Sequence, residues 1–261
     1  MLFNKYFDLI FSIGEDCACT SYLRKFNLQD FSYPFDWLTG SDFQTRINLL
    51  LNDFDKFCEY SDFEKLEKSN SDDVDSANDS YLNTHYGLMF FHDFNSEYDF
   101  ENAYKIVSEK YRRRIARLFD NIENSQDILL VWWSRDKHLR KEDVENAYSD
   151  LKRKFADKNL YILIIEFAEE YQEDLLLNGH ILIVRYDNIS YSYNQNWSKV
   201  LGNQTNNLKL FSQIKKKRNF YWFLKMFIYK TGRFLLGLLP FRKYRHHLRD
   251  KWRFTFFRDK L

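Results

Sequence analysis

The chain has 261 residues with 39 Lys or Arg against 38 Asp or Glu, and 19% of it is aromatic. That length buries a substantial core as one main domain with appendages. Three cysteines, an odd number without framework spacing, exclude a disulfide-stapled secreted scaffold and fit a reducing cytoplasm. The opening residues lack a basic n-region and a small-residue cleavage site, so no signal peptide is expected.

In chain order, Phe7 to Ile13 is an apolar run short enough for a buried strand, and Gly14 ends it with a residue that tolerates a sharp turn. From Cys17 the spacing turns helical, with Tyr22, Leu23 and Phe26 as an apolar stripe and Arg24 and Lys25 facing outward. Cys17 therefore starts a helix, where unpaired amides and the helix dipole favour a thiolate, the nucleophilic form. A small buried hydrophobe is the plain alternative for any free cysteine. Cys19, two residues on, points away and packs.

Ser32 to Trp37 reads as a loop fixed by Pro34. Asp36, between two aromatics, must be hydrogen-bonded or near water; it either orients a histidine, binds a substrate group or caps a helix. Asp42 to Phe57 has the spacing of an ordinary core helix through Phe43, Ile47, Leu50, Leu51 and Phe54. The acidic stretch at 59–80 reads as a surface loop. Its aspartates lack the glycine and closing glutamate of a calcium loop, so no metal site is expected.

Tyr86 to Phe94 is a strand or hairpin element with His92 at its end, well placed for a cleft but equally readable as a histidine bonded to backbone. Phe100 to Ile122 is a long helix with Arg112, Arg113 and Arg114 mainly outside. Asp127 to Trp133 is a strand, Lys141 to Phe155 a helix, and Leu160 to Glu166 and Ile181 to Tyr186 are strands. Short apolar strands alternating with helices imply an α/β fold, a mainly parallel sheet with helices on both faces in three Rossmann-like layers. Ligands bind such sheets beyond the carboxyl ends of the strands, where Gly14, Glu15, Asp16 and Cys17 would lie. Arg135, just after Trp133, would reach the same edge and could bind a substrate anion, a surface ion pair being its other reading.

Residues 215–261 hold fifteen Lys or Arg and two Asp, a net charge of +13 that leaves −12 on the rest. Phe220 to Leu239 is apolar and aromatic but broken by Lys225, Lys230 and Arg233, a poor membrane span. Residues 1–210 then form the α/β domain, and 211–261 a basic amphipathic helical tail suited to an anionic membrane surface. Nucleic acid ranks lower, because the apolar content exceeds what phosphate contacts need. A packed pair of helices with a basic outer face is the third reading of the tail.

Ser12-Ile13-Gly14-Glu15-Asp16-Cys17, Leu23-Arg24-Lys25, Ser32-Tyr33-Pro34-Phe35-Asp36-Trp37 and Phe91-His92-Asp93-Phe94 together resemble the signature of a bacterial family described as papain-like cysteine peptidases. The resemblance implies Cys17 as nucleophile, His92 as base and an acidic residue as orienter. Asp93 would face away from His92 in a continuous strand, which leaves Asp36 as the candidate orienter and Asp93 for substrate or oxyanion binding. Papain-like folds have a mostly antiparallel sheet, so the resemblance and the strand–helix alternation point to different architectures.

A shorter likeness to acyltransferases of capsule biosynthesis, with their cysteine after the first strand, makes acyl transfer to a glycan the competitor of hydrolysis. Amides near Gly14 to Cys17 would hold the oxyanion in either reaction. The expectation is thiol-dependent acyl chemistry on a small-molecule, peptide or glycan substrate, needing no cofactor unless a transferase uses a donor such as a coenzyme A thioester. The protein would be cytoplasmic, peripheral on the inner face of the membrane. A non-catalytic membrane-bound binding or assembly protein is the alternative.

Overall fold

The computed structural model describes residues 4–67, 77–134, 138–167, 174–186, 210–218, 220–237 and 248. The expected first strand forms as two pieces, β1 (Tyr6–Phe7) and β2 (Leu9–Ser12), which part at Asp8. The cause is chemical: the Asp8 carboxylate accepts from the amides of Gln126 and Asp127, so its side chain is committed to the start of the neighbouring strand.

That neighbour is β7 (Asp127–Trp133). With β8 (Asn159–Phe167), β9 (Leu175–Leu177) and β10 (Ile181–Tyr186) it completes a five-stranded sheet in the order β2-β7-β8-β10-β9. The pairings β2–β7, β7–β8 and β8–β10 are parallel; only β9 runs antiparallel, on the far edge. The parallel strands lie across the sheet in chain order.

Alternation along these strands divides the core in two. Phe11, Leu130, Ile162 and Ile183 face one layer, with α2 (Phe43–Leu51), α3 (Phe100–Glu123) and α4 (Lys141–Lys154). Ile10, Val131, Leu163 and Val184 face the other, with α1 (Cys17–Lys25) and a segment around Leu210, Phe211 and Ile214. The three-layer α/β architecture expected from the spacing is therefore present.

A second sheet was not expected. Between α1 and α3 the chain builds an antiparallel sheet in the order β3-β6-β5-β4, from β3 (Leu38–Gly40), β4 (Phe63–Lys65), β5 (Asn78–Asn83) and β6 (Leu88–Asn95). Both ends of the acidic stretch at 59–80 are thus strands rather than loop, because Phe63 and Tyr81 pack on Phe94 and drag their neighbours into register. The parallel sheet of the strand–helix pattern and an antiparallel sheet coexist in one chain.

The tail boundary also moves. Leu210, Phe211 and Ile214 are core, and β11 (Lys215–Lys216) pairs with β1 in parallel. Lys217 bridges Asp8 and Asp127 at 3.0 and 2.7 Å, and Asp30 accepts from Lys216 and Arg218. The domain hence extends to at least Arg218, past the expected limit at 210, and α5 (Phe220–Gly237) follows. No helix among the described residues is long and apolar enough to cross a membrane.

Burial acts to raise the Asp30 pKa, but Lys216 and Arg218 outweigh it and hold the carboxyl below its ordinary value. A depressed folded pKa contributes stability above the unfolded value of about 3.9 and loses it as pH falls through the folded one. Asp30→Asn should therefore melt about 2–4 °C below the wild type at pH 6–7, and the gap should close in scans below about pH 3.9.

Candidate active site

The turn after β2 is built on close backbone approach. A Cβ at Gly14 would lie 2.7 Å from Cys19 Cβ and 3.2 Å from the Trp133 amide, so only glycine fits between α1 and β7. The Gly14 amide donates to Ser12 Oγ at 3.1 Å and the Glu15 amide to Trp133 O at 3.0 Å. Two of the amides expected near an oxyanion are thus already engaged, one by a side-chain hydroxyl and one by the neighbouring strand. Glu15 Oε2 accepts from Ser134 Oγ at 2.8 Å, which ties the turn to the loop after β7. Arg135, the next residue, lies outside the described residues. Asp16 caps α1, accepting from the Ala18 amide at 2.7 Å.

Cys17 is the first residue of α1 and is partly exposed at this sheet edge, as the sequence placed it. Cys19 is different: it is wholly buried, its Sγ donates to Val131 O at 3.6 Å, and burial pushes its pKa up to about 12. Burial also pushes the Cys58 thiol up.

Beneath the turn lies Arg46 of α2, with no exposed surface. Its guanidinium donates to Gly14 O at 2.5 Å, Glu15 O at 3.2 Å, Leu38 O at 3.2 Å and Gly40 O at 2.9 Å. One side chain thereby satisfies carbonyls where β2 has ended and where β3 runs. Burial lowers its pKa to about 10 against the charges of Asp16 and Glu15, and it stays protonated at neutral pH. By spacing alone this helix reads as ordinary packing. The signal was an arginine on the apolar stripe of Phe43, Ile47 and Leu50, at the i+3 position from Phe43.

Asp36 is fully buried and accepts from Thr20 Oγ1 at 3.0 Å, Gln29 Nε2 at 2.6 Å, the Tyr33 amide at 2.9 Å and Arg24 Nη2 at 3.4 Å. Burial raises its pKa while Arg24, Gln29 and the Tyr33 amide pull it back. This carboxylate, expected to orient a histidine, bind a substrate group or cap a helix, fastens the 32–37 loop to α1. Arg24, expected outside, turns in to reach it and lies 5.1 Å from the Trp37 ring. Arg114 is likewise buried, beside Tyr111, rather than outside.

His92 also meets Trp37, edge-on with ring centroids 6.2 Å apart. It is exposed because β6 is irregular: Asp79 pairs with Phe94 and Tyr81 with Phe90, so Phe91, His92 and Asp93 face Ser80 alone. Strict alternation would bury His92 between Phe90 and Phe94; the bulge turns it out and turns Asp93 in. Asp93 then accepts from Tyr111 Oη at 2.7 Å and pairs with Lys110 at 2.6 Å, a place on α3 rather than in a substrate site. The structure thus brings Asp36, Arg24, Trp37 and His92 into one chain of contacts leading to the Cys17 helix. No cluster of metal-ligating side chains occurs among the described residues.

Residues 8–170 match a family described as "Putative papain-like cysteine peptidase", and the chain belongs to that family. It is also 29% identical over 152 residues to "Uncharacterized protein R408" of Acanthamoeba polyphaga mimivirus, covering 52% of this chain and 67% of that protein. No solved structure matches.

Arg46→Met would take the buried guanidinium from Gly14 O and Leu38 O and leave Glu15 O with the Gly40 amide alone, at a cost of about 3–5 kcal/mol. A lysine, with a single ammonium, cannot span the same four oxygens. Urea unfolding should rank wild type above Arg46→Lys and that above Arg46→Met; equal midpoints would contradict the role given to Arg46.

Proposed function

With membership of this cysteine-peptidase family as the premise, we propose that the protein cleaves an acyl bond with Cys17 as nucleophile and His92 as general base. The observation that carries the reading is the contrast among thiols. Cys17 begins a helix at the carboxyl edge of the parallel sheet and is partly exposed; Cys19 is wholly buried, and Cys58, though partly exposed, lies in the turn after α2 with its thiol pushed up by burial. A thiolate is favoured at a helix start and disfavoured in an apolar interior. The bulge in β6 supports the second assignment, since it presents His92 to the Trp37 loop that Asp36 fastens to the same helix.

In this reading His92 takes the Cys17 proton and the thiolate attacks the substrate carbonyl, with the oxyanion held at the first turn of α1. Collapse breaks the acyl bond, and His92 returns the proton to the leaving group. Water, deprotonated by His92, then attacks the thioester and frees Cys17. A sugar hydroxyl in place of water would give transfer, as a role in surface-polysaccharide assembly would require.

The test is turnover of an unbiased fluorogenic peptide and ester library by the full chain. Cys17→Ala should abolish it, and His92→Ala should lower it about 10²–10⁴-fold at neutral pH, while Cys19→Ala retains it. Products made with water alone, or with an added glycan acceptor, separate hydrolysis from transfer. Undiminished turnover in Cys17→Ala overturns the proposal.

A further inference from the structure

The helix α5 carries more exposed apolar surface than anything else in the described chain. Phe223, Phe227 and Phe234 are 55%, 69% and 68% exposed, and Leu224, Ile228 and Leu235 stand beside them. These six fall at i, i+4 and i+11 and their following neighbours, so they share one face of the helix, while Tyr229 is buried. An apolar stripe of this kind costs free energy in water and marks a contact surface.

The charge around the stripe selects the partner. No Asp or Glu occurs from Lys215 to Arg249, and α5 itself contains Lys225, Lys230 and Arg233. The basic residues just before it have other work: Lys216, Lys217 and Arg218 pair with Asp8, Asp30 and Asp127 and fix the start of the helix to the domain. At 18 residues the helix is about 27 Å long, ample for lying along a surface.

We propose that α5 binds the surface of an anionic lipid bilayer, with Phe223, Leu224, Phe227, Ile228, Phe234 and Leu235 entering the interfacial region and the basic residues of the helix meeting lipid phosphates. Large apolar and aromatic side chains with interspersed cations suit that environment. A nucleic acid would use the cations and leave the aliphatic stripe in water. Asp8 and Asp127, which hold Lys217, lie where β2 and β7 begin, whereas Cys17 follows the end of β2. The start of α5 and the thiol site thus lie toward opposite edges of the sheet.

The experiment is co-sedimentation of the full chain with vesicles of phosphatidylcholine, with and without phosphatidylglycerol. The wild type should pellet with the anionic vesicles, and added salt should weaken it. The F223S/F227S/F234S variant, altered only at exposed positions, should lose at least about tenfold in partition with an unchanged melting temperature. Should that variant unfold, Phe227→Ser alone serves the same comparison. The proposal is overturned if the wild type pellets no better than with phosphatidylcholine alone, or if the folded variant binds as the wild type does. Retention on single-stranded DNA without vesicle binding, or a dimer in ultracentrifugation that the variant dissolves and vesicles do not, would assign the stripe to those partners instead.

Discussion

The guanidinium of Arg46 holds together the two parts of the chain that the candidate site needs. Strand β2 ends at Ser12, and the carbonyls of Gly14 and Glu15 that follow it have left the parallel sheet. The β3 strand belongs to the other, antiparallel sheet. A carbonyl buried without a donor in such a place would cost a few kcal/mol. Arg46 spans both sets from below, in a planar fork that no other side chain offers. Its charge also sits under a turn that carries Glu15 and Asp16, so the acidic motif before Cys17 is tolerated where it would otherwise repel a thiolate.

Asp36 does for the upper side of the site what Arg46 does for the lower. With four donors converging on one buried carboxylate, the loop from Ser32 to Trp37 cannot shift without breaking several bonds at once. Trp37 consequently contacts both Arg24 of α1 and His92 of β6. The specific Pro-Phe-Asp-Trp block is thus a structural clasp whose last residue touches the histidine strand. Phe35, the apolar member, is fully buried and meets Phe54, which secures the clasp to the core.

Much of this was legible in the residues and some could not be. The strands Asp127–Trp133 and Ile181–Tyr186 and the helix Phe100–Glu123 follow directly from uninterrupted apolar runs and 3.6-residue spacing. The antiparallel sheet was hidden because β3 and β4 are three residues each, too short to show a period, and β5 carries Asn, Asp and Ser among its apolar positions. Position made Cys17 a candidate, while the difference between it and Cys19 needed the burial that only tertiary packing reveals. His92 could be suspected from its motif, but the bulge that exposes it depends on pairing with β5. The partners of Asp36 are hidden for a related reason: Gln29 and Arg24 meet it only because the chain turns back after α1.

The central claim is that one thiol of three is poised as a nucleophile and that His92 poises it. The most direct measurement is the rate of iodoacetamide alkylation of Cys17, Cys19 and Cys58, resolved by mass, from pH 5 to 10 in the wild type and in His92→Ala. The account predicts that Cys17 alone reacts quickly near neutral pH, with an apparent pKa below the reference of about 8.5, and that His92→Ala slows it there. A Cys17 no faster than Cys19 and Cys58, or one indifferent to the loss of His92, would contradict it.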